Sequence, residues 1–516
     1  MMKRLFLLCV DAMMGRIRTI IAIILAVGVL GGCSDDDSFS TDRSNILTFE
    51  VDTLLLDTVF SSVASRTYTF WVFNKSADGI RIAQVRLEQG NQTGFRVNVD
   101  GTYLDNTTGS QVQGLEVRKG DSIRVFVELT SSYNGYDTPQ LVEDNLLFTL
   151  ESGVTQQVNL RAYSWDATLL DSVVISNDST ISSSMPLVIR QGLRVDSGAT
   201  LTIIGPTTLY FSSGAGLDVY GQLDVEGSQG NEVVFRGDRI DYMFDYLPYD
   251  RVSGQWKGIR FYPSSSDNKI EYADIHSGEY GIQCDSAEYD SITPRFVLTN
   301  VTVHNCKGHG IYAVNSMFQL TNCQVTNTLG DCLAMYGGYA NIVYCTLAQY
   351  YPFDSDRGVA LRFANEYSDS PMPLYALNCI NTIITGYSDD ELMGSQTDAD
   401  SAASFNYVFY NSLIRTPAIT DSLELAGKFF DVIFESPDDS IEGKSHFVDI
   451  DADLQYYDFH LDSLSTARGK ANISIGEMFT SVDRDGVERV DSADIGCYQY
   501  IAPIIDTEAT EARRRR

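Results

Sequence analysis

One six-residue phrase recurs at a fixed spacing, and this constrains the fold more than any other feature of the chain. Leu298-Thr299-Asn300-Val301-Thr302-Val303 returns as Leu320-Thr321-Asn322-Cys323-Gln324-Val325 and again as Ile342-Val343-Tyr344-Cys345-Thr346-Leu347, 22 residues apart each time. A second phrase lies between the copies, Gly310-Ile311-Tyr312-Ala313 and then Asp331-Cys332-Leu333-Ala334. Both alternate apolar with polar residues, the period-2 mark of a strand. Short strands returning at this interval predict an all-β solenoid, in which each coil buries its apolar side only by stacking on its neighbours.

Extended outward, the first phrase reads Gly258-Ile259-Arg260-Phe261, Gly281-Ile282-Gln283-Cys284, Gly310-Ile311-Tyr312-Ala313, Asp331-Cys332-Leu333-Ala334 and Gly358-Val359-Ala360-Leu361. This register stacks Ile259, Ile282, Ile311, Cys332 and Val359 inward, beside Phe261, Cys284, Ala313, Ala334 and Leu361. The second phrase gives an inward column of small residues: Ala273, Val301, Cys323, Cys345, Thr382 and Ser412. Before it runs a turn column, Asn300, Asn322, Asn381 and Asn411, interrupted by Tyr272 and Tyr344 and read as a hydrogen-bonded ladder. Cys284, Cys323, Cys332 and Cys345 are therefore expected to act as small core hydrophobes. Seven cysteines follow Cys33, an odd number without tight pair spacing, which argues against a disulfide framework or a zinc site.

The repeat pattern, with Trp256-Lys257-Gly258-Ile259 opening a coil, resembles the pectate-lyase-like family of right-handed parallel β-helices over roughly residues 185–430. The resemblance implies coils over 172–439. An end cap is expected at 169–182, because an open sheet edge invites aggregation. Residues 440–505 resemble the closing segment of bacterial surface β-helix proteins through Asp458-Phe459-His460-Leu461, Ala467-Arg468-Gly469, Asp483-Arg484-Asp485-Gly486 and Asp494-Ile495-Gly496-Cys497-Tyr498. They are expected to form a C-terminal cap, followed by a disordered tail at 506–516.

Upstream, residues 46–165 hold strand candidates at 46–51, 66–74, 80–88, 95–99, 122–130, 145–150 and 157–162, separated by turns rich in Asn, Asp, Gly and Ser. Seven short strands predict an immunoglobulin-like β-sandwich, here without the Cys-Trp-Cys hallmark. Asp57-Thr58-Val59-Phe60 and Asp121-Ser122-Ile123-Arg124-Val125-Phe126 resemble the small domains that join bacterial surface lipoproteins to their working modules.

The first 32 residues read as an address. Lys3, Arg4, Arg16 and Arg18 precede an apolar run at 20–30, too short to span a bilayer, which ends in Leu30-Gly31-Gly32-Cys33. The ending resembles a bacterial lipobox and implies lipidation of Cys33, with Met1, Met13 or Met14 as the start. Ser34-Asp35-Asp36-Asp37, in an acidic tether at 33–45, resembles the tag that sends lipoproteins to the outer face of the outer membrane in one phylum of Gram-negative gut anaerobes. The expected location is the outer membrane, lipid-anchored and facing the exterior. The formal net charge is −32. Such a surface disfavours nucleic acid, and it repels acidic polysaccharide unless cations bridge the two.

Chemistry in a solenoid sits in loops that bulge between strands. Two long loops precede the first phrase, at 237–255 and 350–357, four rungs apart and so roughly 19 Å at their bases. The first holds Tyr242, Phe244, Tyr246, Tyr249, Asp250 and Arg251, and the second Tyr351 and Phe353, all candidate ligand-binding residues because rings stack on sugar faces while charged groups bind hydroxyls or uronates. Asp354 and Asp356, backed by Arg357, are the best candidates for acid–base catalysis, which needs two carboxylates about 5–10 Å apart. The carboxylate column of a calcium-dependent lyase and the ordered motifs of a β-helical polygalacturonase are both missing. His276, His304 and His309 fall at coil turns and are read as structural. Asp449, Asp451 and Asp453 alternate as calcium ligands can, but no turn glycine or closing glutamate follows. No metal site and no cofactor are assigned, Ca2+ being the one ion considered. The expected function is glycan or other surface-ligand binding through the two loops. The alternatives are a polysaccharide lyase or glycoside hydrolase, and a structural spacer.

Overall fold

The computed structural model describes residues 38–104, 107, 109–397, 403–435 and 443–502. Cys33, the leader and the tail at 506–516 lie outside them. The chain divides into two compact units.

The first unit holds two largely antiparallel sheets resembling a sandwich. One orders Thr48–Phe49, Tyr68–Phe73, Ser122–Leu129, Phe95–Val99 and Thr102–Tyr103; the other orders Thr53–Leu55, Thr155–Trp165, Gln140–Leu150, Ile80–Leu87 and Gln111–Val117. Alternation decides the inner face: Ile123, Val125, Val127 and Leu129 are buried while Arg124 points outward. Phe49 meets Phe148 at 5.1 Å between ring centroids. The strand Gln111–Val117 escaped the sequence reading because its alternation is blurred: only Val117 is buried, and Gly114 sits at φ +70°.

The second unit is built on one parallel ladder of 26 strands. Most coils contribute three short strands, and in two of them the first pair runs on as one strand, Ile311–Thr321 and Leu333–Val343. Ile259–Phe261, Asn268–Glu271 and Ala273–His276 pair in parallel with Ile282–Cys284, Phe296–Thr299 and Thr302–His304 of the next coil. Inside lies one continuous core, with ring stacks such as Phe211 on Trp256 at 4.5 Å and Phe296 on Phe318 at 4.8 Å.

Three expectations need correction. The coils begin at Thr168, because Thr168–Ile175 pairs with Leu187–Val195 and Ser179–Ile181 with Thr200–Ile204. The expected cap at 169–182 is thus the first coil; with a neighbour on one side only, it buries little and its pattern is weak. The first-phrase register also slips, by one residue at 331–334 and by a second at 358–361. Ile311 pairs with Leu333 and Leu333 with Leu361, so the inner columns are Ile259, Ile282, Ile311, Leu333, Leu361 and Phe261, Cys284, Ala313, Met335, Phe363. Matching Gly310 to Asp331 had broken the 22-residue spacing, and a slip of one residue exchanges the two faces of a strand. Ala334 accordingly lies on the outer face between Tyr312 and Arg362.

The third correction concerns the C-terminal segment. Its hairpin, Phe447–Asp451 with Tyr456–Leu461, and the turns beyond it pack against more of the ladder than its last rung. They lie along its side, where Phe447, Phe459, Ile495 and Cys497 pack on Ala348, Tyr350, Ile383 and Leu413. Gln229, Asn322, Thr346 and Asn381, from four different coils, all hydrogen-bond to this segment.

The second phrase stands as read. Ala273, Val301, Cys323, Cys345, Thr382 and Ser412 are adjacent and buried, and all seven described cysteines are buried free thiols. The turn column has left-handed backbone throughout, with φ of 57°, 53°, 53° and 44° at Asn300, Asn322, Asn381 and Asn411. Asparagine tolerates that conformation better than other residues with a side chain. Asn322 Nδ2 donates to Asn300 Oδ1 at 3.1 Å, but Tyr344 breaks the ladder, and Asn381 instead exchanges two hydrogen bonds with the backbone of Asn472.

Candidate functional site

The two predicted loops meet, and the residues singled out in them have different surroundings. Ser253 Oγ lies 3.0 Å from Tyr351 Oη, and Tyr351 is buried. Phe244, Tyr246 and Phe353 are more than half exposed. Phe244 and Tyr246 stack on each other at 5.8 Å, and Tyr249 lies under the Arg239 guanidinium at 3.8 Å. Tyr242 and Asp250 line a concavity of about 270 Å³ with Tyr210, Arg236 and Pro248. Arg251 faces a different and larger one. Asp354 and Asp356 stand in a turn in which Asp354 Oδ1 accepts the Asp356 N–H. Arg357 turns away from both carboxylates toward the carbonyls of Tyr351 and Asp354 and the ring of Tyr387.

The larger concavity, about 440 Å³, is built on the outer side of the ladder. Its floor comes from three successive strands, Ala273–His276, Thr302–His304 and Gln324–Thr326. Ala273, Ile275, Val301, Val303 and Val325 point into the core, so period-2 geometry turns Asp274, His276, Thr302, His304, Gln324 and Thr326 outward. Asn305 and Asn327 follow as left-handed corner residues, at φ 53° and 54°. The wall is the C-terminal segment, with Tyr456, Tyr457, Asp458, His460, Arg484 and Tyr498. Arg251 braces it, donating to the carbonyl of Leu454 at 2.9 Å and lying over Tyr456.

Two polar networks meet here. Both His276 Nδ1 and His304 Nε2 face Asp274 Oδ1, at 3.0 and 3.1 Å, and the two rings stack at 4.8 Å. Burial draws His276 below its ordinary value. Burial also opposes ionisation of Asp274, yet the two imidazoles outweigh it and hold the carboxyl well below the usual range. On the wall, His460 is clamped between Asp485 at 2.8 Å and Asp458 at 2.6 Å. The hydrogen bond to Asp485, then that to Asp458, push it up to about 8 against the pull of burial. Tyr498 Oη donates to Gln324 Oε1 at 3.1 Å and its ring packs on His460 at 4.0 Å.

Two buried polar atoms in the lining lack a hydrogen-bond partner among the described residues, Asn327 Oδ1 and Arg484 Nε. Such groups are costly to leave unmatched and point to a polar occupant. Apart from Arg251, the sequence reading missed this site. One signal was available: the aligned phrases at 272–275 and 300–303 put the next outward residues, His276 and His304, on adjacent rungs.

Residues 169–347 match the family model described as a right handed beta helix region. The solenoid is a right-handed parallel β-helix. No curated protein matches the chain. Solved structures with some likeness to it include a family 123 glycoside hydrolase from Clostridium perfringens, at 6% identity and TM-score 0.16, covering 23% of this chain and 26% of that one. BcpA, the major pilin subunit of Bacillus cereus, gives 11% and 0.15, covering 26% of this chain and 43% of the pilin. The catalytic unit of a GH87 alpha-1,3-glucanase from Streptomyces thermodiastaticus strain HF3-3 gives 8% and 0.23, covering 72% and 89%. The β-helix chain thus spans less than half of the first two, and at these scores no likeness bears on function.

Proposed function

We propose that this chain is a lipoprotein of the outer membrane, anchored through Cys33 and facing the exterior, whose β-helix binds a saccharide in the 440 Å³ concavity. One observation carries the binding reading. The concavity sets the side chains of Thr302, Gln324, Asn327, Asp458 and Arg484 beside the rings of Tyr456, Tyr457 and Tyr498. Hydroxyl-rich rings are bound by that pairing of directional polar groups with aromatic faces, and the volume falls within the roughly 300–1,000 Å³ of small-molecule sites. The binding residues therefore differ from those expected from the loops, Arg251 being common to both. The anchor rests on the lipobox-like Leu30-Gly31-Gly32-Cys33.

A glycan array of the mature protein, with and without calcium, tests the reading. Binding that survives the pair Asp354→Asn and Asp356→Asn but fails in Gln324→Ala and Tyr456→Ala supports it. Binding lost instead on replacing Tyr246 and Tyr249 by Ala would return the site to the loops. Release of reducing ends or unsaturated uronates would favour the enzyme, and silence across a broad array the spacer. Cys33→Ser should free the protein from the membrane fraction, and protease shaving of intact cells should remove the unmodified protein.

A further inference from the structure

A cluster on the floor of the concavity has donor chemistry that saccharide binding does not use. We propose that Asp274, His276 and His304 hold a divalent transition-metal ion of the zinc class. The site follows from the register of the ladder. Asp274 and His276 stand two residues apart on one strand and so share its outer side, and His304 is the ladder partner of His276 on the next rung. The three donor atoms lie within 4.8 Å of one another, with both imidazole nitrogens converging on one carboxylate oxygen at 3.0 and 3.1 Å. Ligands bound at about 2.0–2.2 Å are themselves about 3–3.5 Å apart, so an ion enters with only small shifts.

The donor set selects the ion. Two nitrogens and one oxygen suit zinc and its first-row neighbours, whereas calcium and magnesium require oxygens. The backbone is held in place: Trp256 Nε1 donates to the carbonyl of His276 at 2.8 Å, and Ile275 and Val303 are locked in the core. Three protein ligands beside an open concavity leave a coordination position for water or a ligand oxygen. A single carboxylate does not neutralise the ion, and the Arg484 guanidinium lines the same concavity as Asp274. The open position should therefore favour an anionic oxygen. The other histidine of the concavity is not equivalent, because both nitrogens of His460 are already taken by carboxylates.

The inference is independent of saccharide binding, since metal uptake needs no sugar. The mature chain with Cys33→Ser and no histidine tag is dialysed against Zn2+ and assayed by elemental analysis and calorimetry. Co2+ loading is followed by its visible spectrum. One ion per chain is expected, with a Co2+ spectrum distinct from that of the aquo ion. Asp274→Asn and His304→Gln should lower affinity at least tenfold, and His309→Gln, outside the lining of the concavity, should leave it unchanged. Wild-type protein that retains no ion overturns the proposal, as does stoichiometry and affinity unaltered in both floor variants. The wild-type Co2+ spectrum decides the matter even where a variant fails to fold.

Discussion

Glu391 offers a sharp test of how the β-helix handles a buried charge. Its side chain is fully buried, with Oε2 accepting the Ala360 N–H at 2.9 Å and Oε1 the Ser388 N–H at 2.7 Å. Burial pushes the carboxyl from 4.5 up to about 8, although those hydrogen bonds and Arg357 pull the other way. The folded state therefore binds the proton more tightly than the unfolded chain. Its stabilising contribution is complete below about pH 4.5 and is lost as pH rises through about 8. At about 1.36 kcal/mol per unit, the difference amounts to roughly 5 kcal/mol at most. Glu391→Gln removes the titration but replaces one accepting oxygen with an amide nitrogen, costing about 1 kcal/mol. Guanidinium unfolding of both proteins across a pH series reads the outcome. The variant should be slightly less stable near pH 5, and the order should reverse by about pH 9. Parallel stability profiles would refute the reasoning, since they would mean that Glu391 titrates alike in both states.

Other perturbations are simpler. His460 is raised to about 8 by its two carboxylates, so its contribution to stability is full below about pH 6.5 and lost as pH climbs through 8; His460→Gln should flatten the pH dependence of stability over that window in chemical denaturation. Trp256→Phe keeps the stack on Phe211 but deletes the bond to the His276 carbonyl, and should cost about 1–2 kcal/mol in chemical denaturation. Tyr344 is a buried ring at φ 50°, under the Arg489 guanidinium at 3.9 Å. Tyr344→Asn relieves the left-handed backbone but empties the ring site, so a net loss of about 2–4 kcal/mol should appear in the denaturation midpoint.

The sequence showed most about the parts that repeat. The small-residue column from Ala273 to Ser412 was legible because its spacing is set by coil geometry, and the asparagine corners because few side chains tolerate positive φ. Asp331 is not the counterpart of Gly310, because the ladder holds the 22-residue distance between Ile311 and Leu333 and lets the preceding turn vary in sequence. The concavity was hidden for a different reason. Its wall comes from residues 455–498 and its floor from 274–327, and no periodicity links the two stretches. Arg251 was reached only because it lies in a long loop.

The C-terminal segment lying along the ladder has a consequence for folding. A bare stack of coils is close to a one-dimensional array, in which each member senses only its neighbours and fraying proceeds from the ends inward. Here Gln229, Asn322, Thr346 and Asn381 are all tied to one stretch of chain that follows the ladder in the sequence. Rungs that share no contact thereby acquire a common partner, and the array gains a long-range coupling term. Unfolding should accordingly become more all-or-none over those rungs than coil stacking alone would make it. A ribosome that has released residues 168–435 has made a ladder, but the wall of the concavity is still to come.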